Sequence, residues 1–103
     1  MPLMPDTVSV TIDPSYVLSG GPLAMGDANQ LSVAGREMIA QDQAEEIVVD
    51  LSQVKQANSV LVAVLLSWYR EAQLQEKTLR IANAPQSASA IISFSGLDEI
   101  LVS

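Results

Sequence analysis

Residues 47–68 decide the fold of this chain, and they read I-V-V-D-L-S-Q-V-K-Q-A-N-S-V-L-V-A-V-L-L-S-W. The first three are β-branched and end on Asp50, which is typical of a short buried strand. The apolar run over residues 60–69 contains no Gly or Pro and is too long for a strand, so it predicts a helix. A polar loop at residues 52–56 separates the two. The stretch therefore predicts a strand, a loop and a hydrophobic helix.

Two polar residues, Asn58 and Ser59, stand where this helix should begin. Both are preferred N-cap types, because a short side-chain oxygen can accept from the first unpaired backbone N–H groups of a helix. We expect the Ser59 hydroxyl to lie at the helix start. Capping alone would explain the residue type. The alternative is docking, since a helix N-terminus is a positive spot where a partner's carboxylate or a phosphate could bind.

The rest of the chain supplies three further strands and two further helices. An alternating strand is predicted at residues 7–12, a second at 15–19 and another at 78–82. A helix is predicted at 27–40, where Asp27 and Gln30 have capping-box spacing, and another at 86–94, with Ala88, Ile91, Ile92 and Phe94 as its inward candidates. Residues 1–5 are expected to be a loose arm. The order β-β-α-β-α-β-α over residues 1–103 predicts one α/β domain, a four-stranded mixed sheet covered by about three helices.

The second helix, residues 59–75, carries more apolar residues than one face can hold. Its buried stripe is predicted to consist of Val62, Leu65, Leu66, Tyr69 and Leu74. That assignment leaves Val60, Leu61 and Val64 partly outside the stripe. Either neighbouring loops or a partner protein would cover them. Trp68 is either a residue at the edge of the core or an interface anchor, since Trp is enriched at binding hot spots.

The composition excludes several classes of function. Twelve acidic residues against five basic ones give a net charge of −7, which disfavours binding to nucleic acid or anionic lipid. The chain has no Cys and no His, so Ser59 has no histidine to activate it and the commonest metal ligands are missing. We therefore expect no catalysis, no metal and no cofactor. Without a signal peptide or a run of about 20 apolar residues, the chain is expected to be soluble and cytoplasmic.

The central stretch resembles the STAS domain family, whose core reads roughly V-D-L-S-x-V-x-x-x-D-S-S-G-L before an aliphatic helix. The matching residues lie at 49–52, 54 and 58–62, and residues 78–85 and 91–101 resemble the family's later segments. About two thirds of the chain is covered. The resemblance implies the STAS fold and a partner-binding surface formed by this loop and helix start.

The departures from that pattern favour one branch of the family. In anti-sigma factor antagonists the second serine is phosphorylated, and here Val60 holds that position, with Asn58 in place of the acid and Leu61 in place of the glycine. The remaining hydroxyl, Ser59, is the one phosphorylation candidate of the motif. The chain is most similar to the MlaB-like branch, small STAS subunits of Mla phospholipid ABC transporters. That similarity implies docking on the transporter's ATPase, in outer-membrane lipid asymmetry, with membrane association only through the complex.

The implied partner-binding residues are Lys55, Asn58, Ser59, Val60, Leu61, Val64 and Trp68. Lys55 and Arg70 are the expected contacts for an acidic partner. Two alternatives stay open: an anti-sigma factor antagonist in a partner-switching pathway, and a carrier that holds a small ligand in its aliphatic interior.

Overall fold

The computed structural model describes residues 9–102, which form one five-stranded sheet and three helices. In chain order these are β1 (Val10–Ile12), β2 (Val17–Gly20), α1 (Ala28–Gln41), β3 (Glu46–Val54), α2 (Ser59–Leu74), β4 (Thr78–Ala82), α3 (Gln86–Phe94) and β5 (Leu101–Val102). Short 3-10 turns precede α1 at Met25–Asp27 and β5 at Asp98–Ile100.

The sheet order is β1-β2-β3-β4-β5, with β1 antiparallel to β2 and the other neighbours parallel. The predicted mixed sheet with three helices is confirmed, and a two-residue strand, β5, is added at its edge. The predicted loose arm and residues 7–8 of the first predicted strand lie outside the described residues.

The hairpin between β1 and β2 is built around Asp13. Its carboxylate accepts from the backbone N–H groups of Ser15, at 2.8 Å, and Val17, at 3.0 Å. These bonds satisfy backbone donors that no strand partner reaches, which is the usual role of Asp in a tight turn. Tyr16 takes a positive φ of 65° inside the turn.

Strand β3 is longer than predicted, because residues 52–54 continue the strand instead of forming a loop. The extension pairs with β2, where Ser19 lies opposite Gln53 and Gly20 opposite Val54. Because Ser52 and Gln53 are polar, the pattern of apolar residues did not predict this part of the strand. The true connection to α2 is residues 55–58.

Alternation along β3 and β4 places the core on one face of the sheet. Ile47, Val49 and Leu51 are buried and so are Leu79 and Ile81, whereas the residues between them are partly or fully exposed. The three helices cover the buried face, where α2 packs between α1 and α3. This arrangement leaves the start of α2 at the carboxyl ends of β3 and β4.

Trp68 locks α1 against α2. The Trp68 side chain is fully buried, and its indole N–H donates to the backbone carbonyl of Ser32 at 3.0 Å. The hydroxyls of Ser32 and Ser67 also lie 2.9 Å apart. The structure therefore makes Trp68 a core residue of the helix layer, and the expectation that a partner could contact it directly is wrong.

The capping box predicted at Asp27 does not form. The Asp27 side chain makes no bond to the first turn of α1, and it accepts instead from the backbone N–H of Ser9 at 2.9 Å and from the Ser9 hydroxyl at 2.6 Å. These bonds hold the pKa of Asp27 below its ordinary value. Asp27 therefore ties the segment before β1 to the start of α1.

Candidate docking surface at the start of α2

Asn58, and not Ser59, caps α2. The Asn58 backbone is extended, its carbonyl oxygen Oδ1 accepts from the Leu61 N–H at 3.0 Å, and its Nδ2 donates to the Leu23 carbonyl at 3.1 Å. The side chain therefore satisfies one helix donor and anchors a neighbouring loop at the same time. The interpretation of Ser59 as the cap is wrong, because Ser59 is the first helical residue.

Ser59 is exposed, and within residues 9–102 its hydroxyl makes no hydrogen bond to another group. Capping would be the simplest reason for a serine here, but Asn58 already caps the helix. The hydroxyl stands at the positive end of a sixteen-residue helix. It is available to a partner group that can accept or donate a hydrogen bond.

The apolar residues that follow are more deeply buried than the sequence predicted. Leu61 is 0% exposed and Val64 is 4% exposed, whereas Val60 is half-buried. The expectation that Leu61 and Val64 lie outside the buried stripe is wrong. The helix contacts the sheet beneath it and α1 at its side, so its buried arc is wider than a single stripe. Neither side chain can meet a partner unless the domain opens.

At the other end of the same helix, a residue is more exposed than the sequence predicted. Leu74, predicted to be buried, is the last residue of α2 and is 78% exposed. Leu66 and Tyr69, also assigned to the stripe, are half-buried, and Val62 and Leu65 are buried as predicted.

The accessible residues around the helix start form what we call the docking surface: Met25, Lys55, Asn58, Ser59, Val60 and Ala63. Lys55, Ser59 and Ala63 are exposed, and Asn58 and Val60 are half-buried. Met25 is 79% exposed and lies two residues after Leu23, whose carbonyl accepts from Asn58. Met25 was not among the partner-binding residues predicted from the sequence. The available signal was a large apolar side chain three residues after the Gly-Gly-Pro break, in a segment with no helical or strand periodicity.

Gly21 holds the connection between β3 and α2 against the end of β2. A side chain at position 21 would place its Cβ 2.9 Å from the Gln56 carbonyl oxygen, and the backbone there has a φ of +115°. The adjacent Gly20 carbonyl accepts from the Lys55 N–H at 2.8 Å. Only glycine permits both the close approach and this φ, so the position of Lys55 depends on it.

Asp50, in the middle of β3, is bonded to the turn that follows β4. Its Oδ1 accepts from the Ser52 N–H at 2.8 Å and from the Asn83 side-chain amide at 3.1 Å. The Ser52 backbone bond, followed by the Asn83 bond, lowers the pKa of Asp50. The carboxylate therefore stays ionised at neutral pH and acts as a structural acceptor.

A surface groove of about 300 Å³ lies at the far end of α2. Its lining consists of Tyr69, Gln73, Lys77, Thr78, Leu79, Arg80, Glu99 and Ile100. Two of the three charged groups are already engaged, since Lys77 donates to the carbonyls of Ile39 and Asp42, and Arg80 pairs with Glu46 at 3.2 Å. Its open, polar lining differs from the enclosed apolar cavity that a lipid carrier needs.

Two further findings bear on function. Within residues 9–102, no three Asp or Glu side chains cluster as a metal site would require. None of the helices in the same range has the length and apolar character needed to cross a membrane.

The fold is similar to a solved structure titled "Structure of the Anti-Sigma Factor Antagonist SpoIIAA in its Unphosphorylated Form". The TM-score is 0.69 at 18% sequence identity, and the match covers 99% of this chain and 84% of that one. At this identity the similarity shows the fold alone. No curated protein matches the sequence.

A family model described as "Mlab, STAS domain" matches residues 13–103. STAS domains mediate protein–protein interactions and are generally regulatory, non-catalytic modules. Because the match spans nearly the whole sequence and agrees with the observed fold, the chain belongs to the MlaB-type STAS domain family.

Proposed function

We propose that this chain is a non-catalytic regulatory subunit that docks on the cytoplasmic ATPase of an Mla-type phospholipid ABC transporter. The observation that carries the proposal is the exposed Ser59 at the start of α2, whose hydroxyl is not used for capping. Membership of the MlaB-type family supports the class of partner. The chain would reach the inner membrane only through the complex and would serve outer-membrane lipid asymmetry from its cytoplasmic side.

The mechanism we propose is a shift in population. A subunit that binds the assembled ATPase more tightly than the free one favours assembly by the difference in the two binding free energies. Such a subunit needs neither to bind ATP nor to contact lipid. The rigid helix layer locked by Trp68 would present Ser59 and Val60 in one fixed geometry, which limits the ordering cost of binding.

Co-purification of the transporter's ATPase with the tagged chain tests this proposal. Ser59→Arg places a long cation on the docking surface, and we expect it to abolish co-purification while the circular dichroism spectrum stays unchanged. Ser93→Arg is the matched control, because Ser93 is also an exposed helical serine but lies in α3 outside the docking surface. We expect this control to retain the ATPase. Retention of the ATPase by Ser59→Arg, or a stoichiometric complex with a different class of protein, would contradict the proposal.

The alternative is an anti-sigma factor antagonist, which the similarity of fold to SpoIIAA favours. Val60 argues against it, since the position that carries the phosphorylated serine in such proteins has no hydroxyl here. Intact mass after incubation with an anti-sigma kinase and ATP decides between the two. We expect no added phosphate. A phosphate that appears on this chain and disappears in Ser59→Ala would favour the alternative.

A further inference from the structure

The Asn58 side chain makes two hydrogen bonds whose directions cannot be exchanged. Its Oδ1 accepts from the Leu61 backbone N–H at 3.0 Å, and its Nδ2 donates to the Leu23 backbone carbonyl at 3.1 Å. A backbone N–H can only donate and a backbone carbonyl can only accept, so position 58 must supply an acceptor and a donor together. An amide does both. The carboxylate that the STAS pattern has at this position could cap the helix but could not donate to Leu23.

The bond to Leu23 attaches residues 22–27, which we call the Met25 loop, to the start of α2. Of the hydrogen bonds that this loop makes in the described part of the chain, it is the one that reaches α2. On its other side the loop is tied to Ser9, whose hydroxyl accepts from the Ala24 N–H at 2.8 Å and donates to the Asp27 carboxylate at 2.6 Å. The Met25 loop is therefore held between the segment before β1 and the cap of α2.

The two segments joined in this way are almost uncharged, in a chain whose net charge is −7. Residues 14–26 contain no Asp, Glu, Lys or Arg, and residues 51–69 contain one of these, Lys55. Met25 in the first segment is 79% exposed. The centre of a protein–protein interface is depleted of charged residues and enriched in Met, whose flexible thioether adapts to the shape of a partner. This part of the surface therefore fits an apolar site on a protein better than a charged one.

We propose that Asn58 is a positioning residue, which by donating to Leu23 holds Met25 at the start of α2, where Met25 and Ser59 bind the partner together. Met25 fills a nonpolar pocket of the partner, and Ser59 supplies the hydroxyl. Two residues of chain span at most about 7 Å, so fixing Leu23 also fixes where Met25 can lie. The identification of the partner as the transporter ATPase rests on the proposed function. The coupling between Asn58 and the Met25 loop rests on the hydrogen bonds of this chain alone.

Amide hydrogen exchange of the free ¹⁵N-labelled chain, followed by NMR, tests the coupling. Asn58→Ser keeps a hydroxyl that can cap the Leu61 N–H, but it has no second group with which to donate to Leu23. We expect the Ala24 and Asp27 amides to exchange about tenfold faster than in the wild type, and the Leu61 amide to stay within about twofold. Unchanged exchange at Ala24 and Asp27 would overturn the proposal. So would an equal acceleration at Leu61, because the side chain would then act only as a cap.

Asn58→Asp tests the same donor with the shape of the side chain preserved. Its carboxylate keeps an acceptor for the helix but cannot donate, so we expect the same faster exchange in the Met25 loop. Gln56→Glu is the matched control for the added charge. It makes the same amide-to-carboxylate change two residues away, on an exposed side chain that makes no hydrogen bond within residues 9–102. Exchange in the loop should stay within about twofold of the wild type in this control, and an equal acceleration in both variants would contradict the role of the Asn58 donor.

Affinity for the purified ATPase, measured by isothermal titration calorimetry, tests whether the loop is a contact. We expect Asn58→Ser and Met25→Ala each to bind about tenfold more weakly than the wild type, and Gln56→Glu to bind within about twofold of it. Met25→Ala should leave the exchange of the Ala24 and Asp27 amides unchanged.

The outcomes separate this proposal from the proposed function. Wild-type affinity in Asn58→Ser or in Met25→Ala would overturn the positioning proposal while leaving ATPase docking intact. A wild-type chain that does not bind the ATPase would contradict the proposed function, and the exchange measurement would still decide whether Asn58 holds the Met25 loop.

Discussion

The indole ring of Trp68 occupies the space that a side chain at position 35 would need. A Cβ built on Gly35 would lie 2.1 Å from Cε2 of Trp68, and the rest of the ring edge is almost as close. Gly35 is buried in the middle of α1, where glycine costs a helix about 1 kcal/mol relative to alanine. The close contact between the two helices is the physical reason for accepting that cost.

Gly35→Ala should destabilise the domain in spite of the gain in helix propensity. We expect a loss of about 1–3 kcal/mol in the free energy of unfolding, measured by urea denaturation, because the ring must shift or α1 must move away. Gly26→Ala is the control, since a Cβ there meets nothing within 4 Å. Its effect should stay within about 0.5 kcal/mol. A Gly35→Ala variant as stable as the wild type would show that the helices are not packed as described.

Asn58→Ala and Ser59→Ala separate capping from docking. Asn58→Ala removes both the acceptor for the Leu61 N–H and the donor to the Leu23 carbonyl, so we expect a loss of about 1–2 kcal/mol in stability. Ser59→Ala should change stability by less than about 0.5 kcal/mol, because the hydroxyl is exposed and makes no bond in the described part of the chain. Thermal or urea unfolding of the two variants gives the comparison. The reverse order of effects would restore Ser59 as the cap.

Two residues of α3 that lie two positions apart should contribute very differently to stability. Ile92 is fully buried, so Ile92→Ala should cost about 2–5 kcal/mol, whereas Phe94 is 95% exposed and Phe94→Ala should cost less than about 0.5 kcal/mol. Urea denaturation of both variants measures the difference. A large loss of stability in Phe94→Ala would mean that its ring packs against the domain in solution, as the sequence analysis had expected.

Acid should weaken the domain through three carboxylates. Hydrogen bonds lower the pKa values of Asp27, Asp42 and Asp50, mainly those from Ser9, from the Ala44 N–H and from the Ser52 N–H respectively. A carboxyl group whose pKa is lower in the folded state stabilises the domain at pH values above its unfolded-state pKa of about 3.9. That contribution is lost as the pH falls through the folded-state pKa. We therefore expect the urea midpoint to be level from pH 7 to about 5 and to decline below about pH 4.

Asp27→Asn isolates one of these groups, because it keeps an oxygen acceptor for Ser9 but cannot be titrated. Its urea midpoint should decline less between pH 4 and 2.5 than that of the wild type. A steeper decline, or a wild-type midpoint that rises on acidification, would be inconsistent with the bonds that Asp27 and the other two carboxylates accept in the folded state.

The sequence by itself determined the order of the strands and helices and the family. A β-branched run followed by a long apolar run without Gly or Pro leaves little choice but a buried strand and a helix, and the spacing of Asp50, Leu51 and Ser52 before Asn58 and Ser59 carries the family resemblance. The bounds of α3 were predicted residue for residue. The helix start was predicted at Ser59, as observed, and of the two residues proposed as caps the structure selects Asn58.

Only the tertiary structure decided which residues of α2 a partner can meet. Periodicity gives the angle between side chains around a helix but not how much of its circumference neighbours will cover. Because α2 packs against both the sheet and α1, Leu61, Val64 and Trp68 are enclosed, and Ser59 and Val60 remain accessible at its start. The choice of Asn58 as cap depends in the same way on Leu23, a residue thirty-five positions away, whose carbonyl fixes the Asn58 side chain.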